Sequence, residues 1–114
     1  MPVRDAGGVP MIRNVVVGRL RPATDPAQSA ADAALLQEGL AGIAALRFPG
    51  LLAMNIGTDL GLREGGWSFA ITNDWQDEDS YRVYDADEEH NRLRREIFIK
   101  VCEDIARVQF HIDR

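Results

Sequence analysis

The spacing of hydrophobic residues changes along this chain, and the order of the changes limits the folds open to it. Four segments have the alternation or the β-branched content of strands: 12–20, 51–58, 67–75 and 105–112. Three segments have helical spacing: 26–46, 77–84 and 87–103. A break between the last two splits the second helical region. The predicted order is therefore β-α-β-β-α-β.

This order predicts an α+β fold of the ferredoxin-like type, a four-stranded antiparallel sheet with the helices on one face. The other face is predicted to be apolar, because strands one and three carry apolar or small residues on both sides. A chain of 114 residues buries only about two thirds of its unfolded surface, so a second copy is the simplest cover for that face. We therefore expect a homodimer. Leu60 and Leu62, in the loop 59–66, are expected to cover further apolar surface.

The charge and the histidine content argue against several kinds of partner. The formal net charge is −5, opposite to the basic surface that binds a phosphate backbone, so no nucleic-acid partner is expected. No apolar run approaches the roughly 20 residues of a membrane-spanning helix, so no membrane contact is expected. His90 and His111 lack the spacing of metal ligands, and we expect neither a metal nor a cofactor.

The single cysteine and the first residues bear on location and extent. Cys102 cannot form an internal disulfide, and no apolar signal region is seen near the N-terminus, so a cytoplasmic protein is expected. Residues 1–10 contain glycines and prolines without periodicity. They are expected to be a flexible extension, with residues 11–114 forming one domain.

Four short stretches between residues 11 and 112 stand out by their order and spacing. They are Met11-Ile12-Arg13-Asn14-Val15-Val16, Pro49-Gly50, Gly66-Trp67-Ser68-Phe69-Ala70 and 84–90. Together they resemble the stress-responsive α/β-barrel domain family, the Dabb proteins, which belong to the dimeric α/β barrels. The resemblance implies a homodimer in which two four-stranded sheets face each other as a barrel, with the helices outside.

The last of these stretches carries what the resemblance implies about chemistry. It reads Tyr84-Asp85-Ala86-Asp87-Glu88-Glu89-His90. Dabb proteins commonly have a His-Pro-x-His element here, preceded by a tyrosine. This chain keeps the tyrosine and the last histidine, with Asp87 and Glu88 in place of the first histidine and the proline. Plant polyketide cyclases of the olivetolic acid cyclase type resemble the family and use a Tyr and a His for acid/base catalysis, which implies Tyr84 and His90 as catalytic residues.

His90 is also a candidate base on chemical grounds, because imidazole exchanges protons near neutral pH. The alternative is a histidine at the edge of the core with a satisfied hydrogen bond, since His90, Leu93 and Ile97 share one helical face. Tyr84 stands six positions earlier on the chain. The two side chains can therefore converge only if the helix breaks near residues 85–87.

Three residues of the third strand are candidate substrate contacts: Phe69, Asn73 and Trp75. Asn73 is polar inside an apolar strand, and a buried polar group needs a partner. The structural alternatives are a core or dimer-seam position for Phe69, a hydrogen bond within the fold for Asn73 and ordinary packing for Trp75. The charged run 91–96 is interpreted as a solvated helix face.

Three functions stay open at this point. The first is a cofactor-free enzyme or binder for a small hydrophobic, polyketide-like or aromatic molecule, with His90 as base and Tyr84 as orienting donor. The second is a non-catalytic dimeric module of the stress response, and the third is a cofactor-independent monooxygenase. A void of a few hundred Å³ lined by Tyr84, His90 and Trp75 would favour the first, whereas side chains filling that space would favour the second.

Overall fold

The fold is described for residues 10–113 by a computed structural model. Its strands are β1 (Met11–Leu20), β2 (Leu51–Thr58), β3 (Phe69–Trp75) and β4 (Cys102–Ile112). Its helices are α1 (Pro26–Ala44), α2 (Glu78–Ala86), α3 (Glu88–Leu93) and α4 (Ile99–Val101), and a π turn, Arg94–Phe98, joins the last two. The expected N-terminal extension lies outside the described residues, except for Pro10.

The four strands form one antiparallel sheet in the order β2-β3-β1-β4. Side chains of α1, the π turn and β3 meet in one core on one side of this sheet: Leu36, Leu40, Ile43, Phe69, Ile71, Ile97 and Phe98. The helices therefore cover a single face. The predicted α+β, ferredoxin-like architecture is confirmed.

The first helix begins where the sequence predicts. The carboxylate of Asp25 accepts a hydrogen bond of 2.8 Å from the backbone N–H of Gln28, and Pro26 stands in the first turn, where no N–H is needed. The helix ends at Ala44 and not at residue 46. The next turn is tighter than an α-helical turn, because the Leu46 N–H donates to the carbonyl of Ile43, three residues earlier.

Asp87 separates α2 from α3, which confirms the predicted break. Its backbone is extended, with φ −64° and ψ 138°, and its N–H donates to the Tyr84 carbonyl at 3.1 Å. Its carboxylate accepts the backbone N–H of His90 at 3.0 Å. One residue therefore ends one helix and caps the next, and this brings the side chains of Tyr84 and His90 together.

The last strand is longer than predicted. It begins at Cys102 and not at residue 105, so the prediction that residues 102–103 belong to the helix is wrong. Pairing with β1 explains the difference, because Cys102 lies opposite Leu20 and a bulge beside Arg19 keeps the ladder in register. Backbone pairing along β1 thus outweighs the helical pattern of the side chains at this point.

The second strand has the predicted bounds, but a bulge interrupts its alternation. In a regular strand Leu52 would lie on the same face as Met54 and Ile56. A bulge between Leu51 and Ala53 displaces Leu52, which is 49% exposed, whereas Met54 and Ile56 pack against the core. The alternation is broken by one unpaired residue.

The sheet face that the helices leave uncovered is called the open face below. Val15 of β1 lies opposite Val108 of β4 on this face, and Val108 and Phe110 are 53% and 45% exposed. Leu60 and Leu62 are more than four-fifths exposed, so the prediction that they cover apolar surface is wrong for a single chain. The open face thus exposes apolar side chains of β4 at the edge of the sheet.

Candidate functional site

Tyr84 and His90 meet on the side of the sheet that the helices cover. Their ring centroids lie 4.3 Å apart, and the ring planes are inclined by 38°. Tyr84 is buried and His90 is partly buried. Nδ1 of His90 is buried and has no hydrogen-bond partner among residues 10–113. Nδ1 of His90 is therefore a position at which a ligand atom could form a hydrogen bond.

A buried polar network holds Tyr84 from behind. Asn73 Oδ1 accepts hydrogen bonds from the indole N–H of Trp75 at 2.6 Å and from Nδ2 of Asn14 at 3.1 Å. Nδ2 of Asn73 lies 3.5 Å from the Tyr84 hydroxyl, at the long limit of a hydrogen bond. Gln109 extends the network by donating to Asn14 at 3.0 Å. The network therefore limits the positions open to the phenol.

A cavity of about 40 Å³ lies beside the two rings. Apolar side chains make most of its wall: Val16, Ile43, Phe69, Ile71, Phe98 and Ile105. This volume holds one to a few water molecules and is far below the roughly 300–1,000 Å³ of typical ligand pockets. Trp75 is not among its lining residues. The predicted void of a few hundred Å³ between Tyr84, His90 and Trp75 is thus not present.

A wider surface cleft adjoins this cavity. The cleft has a volume of about 370 Å³ and shares Arg94, Ile105 and Arg107 with the cavity wall. Glu103 and Asp104 are among its other lining residues. The cleft and the cavity therefore share part of one wall, although His90 lines only the cavity.

Arg94 faces this site, so the interpretation of the whole charged run as a solvated face is wrong at this position. Its Nε is buried and lacks a hydrogen-bond partner in the described part of the chain. The flanking Arg92 and Arg95 do pair with glutamates on the surface. The π turn widens the helix from Arg94 onward. His90, Arg94 and Phe98, which follow one another at intervals of four residues, all line the cavity.

Burial sets the protonation states of the two central side chains. Burial lowers the pKa of His90 below its ordinary value of 6.5, while the nearby carbonyl and carboxylate of Asp85 act in the opposite direction. Burial raises the pKa of Tyr84 to about 12, and the amide of Asn73 opposes that rise. At pH 7 His90 is therefore a neutral base, and Tyr84 keeps the proton that it needs to donate a hydrogen bond.

The residues predicted as site residues fall into two groups. Tyr84, His90 and Phe69 line the cavity. Trp75 is fully buried with its ring 4.9 Å from that of Tyr84, and Asn73 binds both. Asn73 and Trp75 therefore lie behind Tyr84 and do not line the cavity, and their predicted contact with a substrate stays a prediction.

Two lining residues, Arg94 and Arg107, are absent from the sequence-based prediction. Arg94 follows His90 by four positions, which is the spacing of neighbours on one helical face. Arg107 lies opposite Val16 on β1, and Val16 lines the same cavity. The spacing of Arg94 from His90 is visible in the sequence, whereas the position of Arg107 depends on the pairing of β4 with β1.

Metal ligands do not cluster in the part of the chain that the structure describes, where no three His, Cys, Asp or Glu side chains could hold an ion. Within the same residues, no helix has the length and apolar character needed to cross a membrane. Burial raises the pKa of Cys102 to about 11, so its thiol is protonated at neutral pH and is a poor nucleophile. The cytoplasmic location stays a prediction.

Solved structures share this architecture. A dimeric ferredoxin-like protein of unknown function from Thermobifida fusca is 28% identical, over 90% of this chain and 91% of that one, with a TM-score of 0.68. The chain has the fold of the dimeric ferredoxin-like proteins. A Dabb family protein from Mesorhizobium loti is 19% identical, over 90% and 96% of the two chains, with a TM-score of 0.68.

An enzyme of the same fold is the hydroxynitrile lyase from Passiflora edulis. It is 20% identical, over 90% of this chain and 94% of that one, with a TM-score of 0.62. At this level of sequence identity the similarity shows the shared fold alone. No protein-family model and no curated protein matches the sequence.

Proposed function

We propose that this chain is a Dabb-type homodimer that binds a small hydrophobic molecule. Tyr84 and His90 would catalyse the removal and return of a proton on that molecule. The observation that carries the proposal is the buried Nδ1 of His90, which has no partner although its ring packs against Tyr84. An unsatisfied buried polar atom costs about 1–3 kcal/mol, and a ligand that bonds to it removes that cost. The Dabb protein among the similar structures supports the family assignment.

The protonation states support a division of labour between the two side chains. Neutral His90 accepts a proton from a carbon next to a carbonyl group, and Tyr84 donates a hydrogen bond to the carbonyl oxygen as negative charge develops there. Protonated His90 then returns the proton to the product. The reaction needs no cofactor, and cyclase or lyase steps on polyketide-like or aromatic carbonyl compounds belong to this class.

The volumes limit how such a molecule is bound. The cavity of about 40 Å³ admits only the reacting end, and the cleft of about 370 Å³ holds the rest. The lyase with the same fold supports an enzymatic role. The ligand is therefore small, with its carbonyl group near one end.

The homodimer forms through the open face. Val108 and Phe110 are half exposed there in the single chain. Several similar structures are described as dimeric. Contact between two open faces buries these side chains and forms a barrel with the helices outside.

Proton exchange on a model ketone tests the acid/base pair directly. Acetophenone is incubated with the protein in D₂O, and loss of its methyl proton signal is followed by NMR. We expect exchange faster than in buffer, and a loss of about 10²–10⁴-fold of that rate in His90→Gln and in Tyr84→Phe. Tyr81→Phe is the matched control, because the Tyr81 ring lies 6.3 Å from Tyr84 and does not line the cavity.

Two results would contradict the proposed acid/base pair. One is exchange no faster than in buffer, and the other is an unchanged rate in the His90→Gln variant. The controls for folding are the circular dichroism spectrum and the sedimentation coefficient of each variant.

A second candidate is a non-catalytic dimeric module, which the small volume of the cavity favours. In that case the cleft binds a ligand without chemistry. Ketone binding detected by NMR shifts, with no proton exchange above the buffer rate, is the outcome expected of this function.

A further inference from the structure

Arg94 and Arg107 line both the cavity and the cleft, although they come from the π turn and from β4. Neither forms an ion pair with a carboxylate among residues 10–113. Five other arginines do have such a partner, namely Arg13, Arg21, Arg82, Arg92 and Arg95, whereas Arg19, Arg47 and Arg63 have none among the same residues. What distinguishes Arg94 is that its Nε is buried without a hydrogen-bond partner in this part of the chain.

The acidic residues near the two arginines leave them free for a ligand. Glu103 and Asp104 line the cleft, but neither forms an ion pair with Arg94 or Arg107. Asp104 lies opposite Arg19 in the ladder of β1 and β4. The buried Nε of Arg94 has no acceptor at all in the described residues.

We infer that Arg94 and Arg107 bind the carboxylate of a small organic acid whose apolar body occupies the adjoining cleft. A guanidinium group offers a planar set of donors that matches the two oxygens of a carboxylate, and such charge-assisted hydrogen bonds are stronger than neutral ones. A carboxylate oxygen supplies the acceptor that Arg94 Nε lacks. The inference rests on the proposed function, because it names the class of molecule bound at that same site.

The arrangement also fits the chemistry proposed for His90. Arg94 is one of the charges that oppose protonation of this imidazole. A carboxylate bound to Arg94 neutralises that charge and favours the imidazolium that forms when His90 accepts a proton. The acid group therefore positions the ligand and supports the base.

Binding of matched probes to the labelled protein tests the inference. Benzoate, benzamide and phenyl phosphate are each titrated into the ¹⁵N-labelled chain, and the arginine Nε–Hε resonances are recorded. We expect benzoate to bind about tenfold or more tightly than benzamide and to move the Arg94 resonance. Arg94→Gln and Arg107→Gln each remove the preference for benzoate. Arg95→Gln, which disrupts only the surface pair with Glu88, retains it.

Several outcomes overturn the inference. They are equal affinity for benzoate and benzamide, an unmoved Arg94 resonance, or a stronger preference for phenyl phosphate than for benzoate. The two proposals fail separately. Arginine-dependent binding of benzoate without ketone exchange upholds the acid site and overturns the acid/base pair, and ketone exchange without a preference for benzoate does the reverse.

Discussion

The indole N–H of Trp75 donates a hydrogen bond of 2.6 Å to Oδ1 of Asn73, and neither side chain reaches solvent. Asn73→Ala leaves that N–H and the amide of Asn14 without an acceptor, at about 1–3 kcal/mol for each unsatisfied group. We expect the free energy of unfolding to fall by about 2–4 kcal/mol. Urea denaturation followed by Trp fluorescence measures it.

The control for this prediction is Gln37→Ala, at an exposed position on α1. Its effect is expected to stay within about 0.5 kcal/mol. An Asn73→Ala variant as stable as this control would show that the buried network contributes nothing to the fold.

The pH dependence of stability depends in part on His90. Its pKa is lowered by burial in the folded chain, so at pH values below about 6.5 the unfolded chain binds a proton that the folded chain does not. The contribution of His90 to stability is therefore present above pH 6.5 and falls as the pH drops toward the folded pKa. We expect the His90→Gln variant to lose less stability than the parent between pH 7 and pH 5.

A ¹³C-detected titration of the histidine Cε1 resonances measures the pKa of His90 directly. His111, which is exposed at the end of β4, gives the second resonance for comparison. A His90 midpoint at or above 6.5 would contradict both the stability prediction and its assignment as a neutral base at pH 7.

Acid sensitivity is expected from the contact between α1 and Arg21, the residue that follows β1. Arg21 donates two hydrogen bonds, of 2.9 and 3.1 Å, to the buried carboxylate of Asp32, and they lower the pKa of that carboxyl. Such a carboxylate stabilises the fold above its unfolded pKa of about 3.9, and the effect is lost as the pH falls through the folded pKa.

The matching variant is Asp32→Asn. Its melting temperature is expected to lie below that of the parent near pH 7, and the difference is expected to shrink below about pH 4. A difference that stays constant from pH 7 to pH 3 in a thermal unfolding series would rule out a role for this ion pair in acid sensitivity.

The proposed homodimer depends on apolar contact at the open face. Val108→Asp introduces a charge at a position that is 53% exposed in the single chain and is buried in the proposed dimer. Each dimer contains two copies of the substitution, and each loses about 1.5 kcal/mol of apolar burial. The dissociation constant of the dimer is therefore expected to rise about hundredfold. Sedimentation velocity measures this, with Val83→Asp on α2 as the exposed control. A parent protein that sediments as a monomer at micromolar concentration would refute the dimer.

The element order could be predicted because each part of the chain carries one clear period. The break before α3 was also predictable, because aspartate is a common helix N-cap and the carboxylate of Asp87 accepts the backbone N–H three residues later. The convergence of Tyr84 and His90 follows from that break. Boundaries were less predictable where pairing across the sheet outweighs local pattern, as at Cys102 and at the bulge beside Leu52.

The volume of the site and its arginines could not be derived from the sequence. Side-chain packing decides whether a space is filled, and here Phe69 and Phe98, with ring centroids 5.6 Å apart, both form part of the cavity wall. Trp75 sits at the end of an alternating strand, which gives no indication that Tyr84 covers it. Arg94 resembles its charged neighbours until the backbone geometry of the helix is known.

The π turn has a consequence for insertions and deletions. A hydrogen bond that spans five residues in place of four accommodates one residue more than an ordinary helical turn. Removing one residue between Arg94 and Phe98 would therefore restore a regular helix and leave the register of β4 against β1 unchanged. A deletion at the start of β4 would instead exchange the faces of Arg107 and Val108. The sheet therefore tolerates a change of length in the π turn that it does not tolerate in the strand that follows.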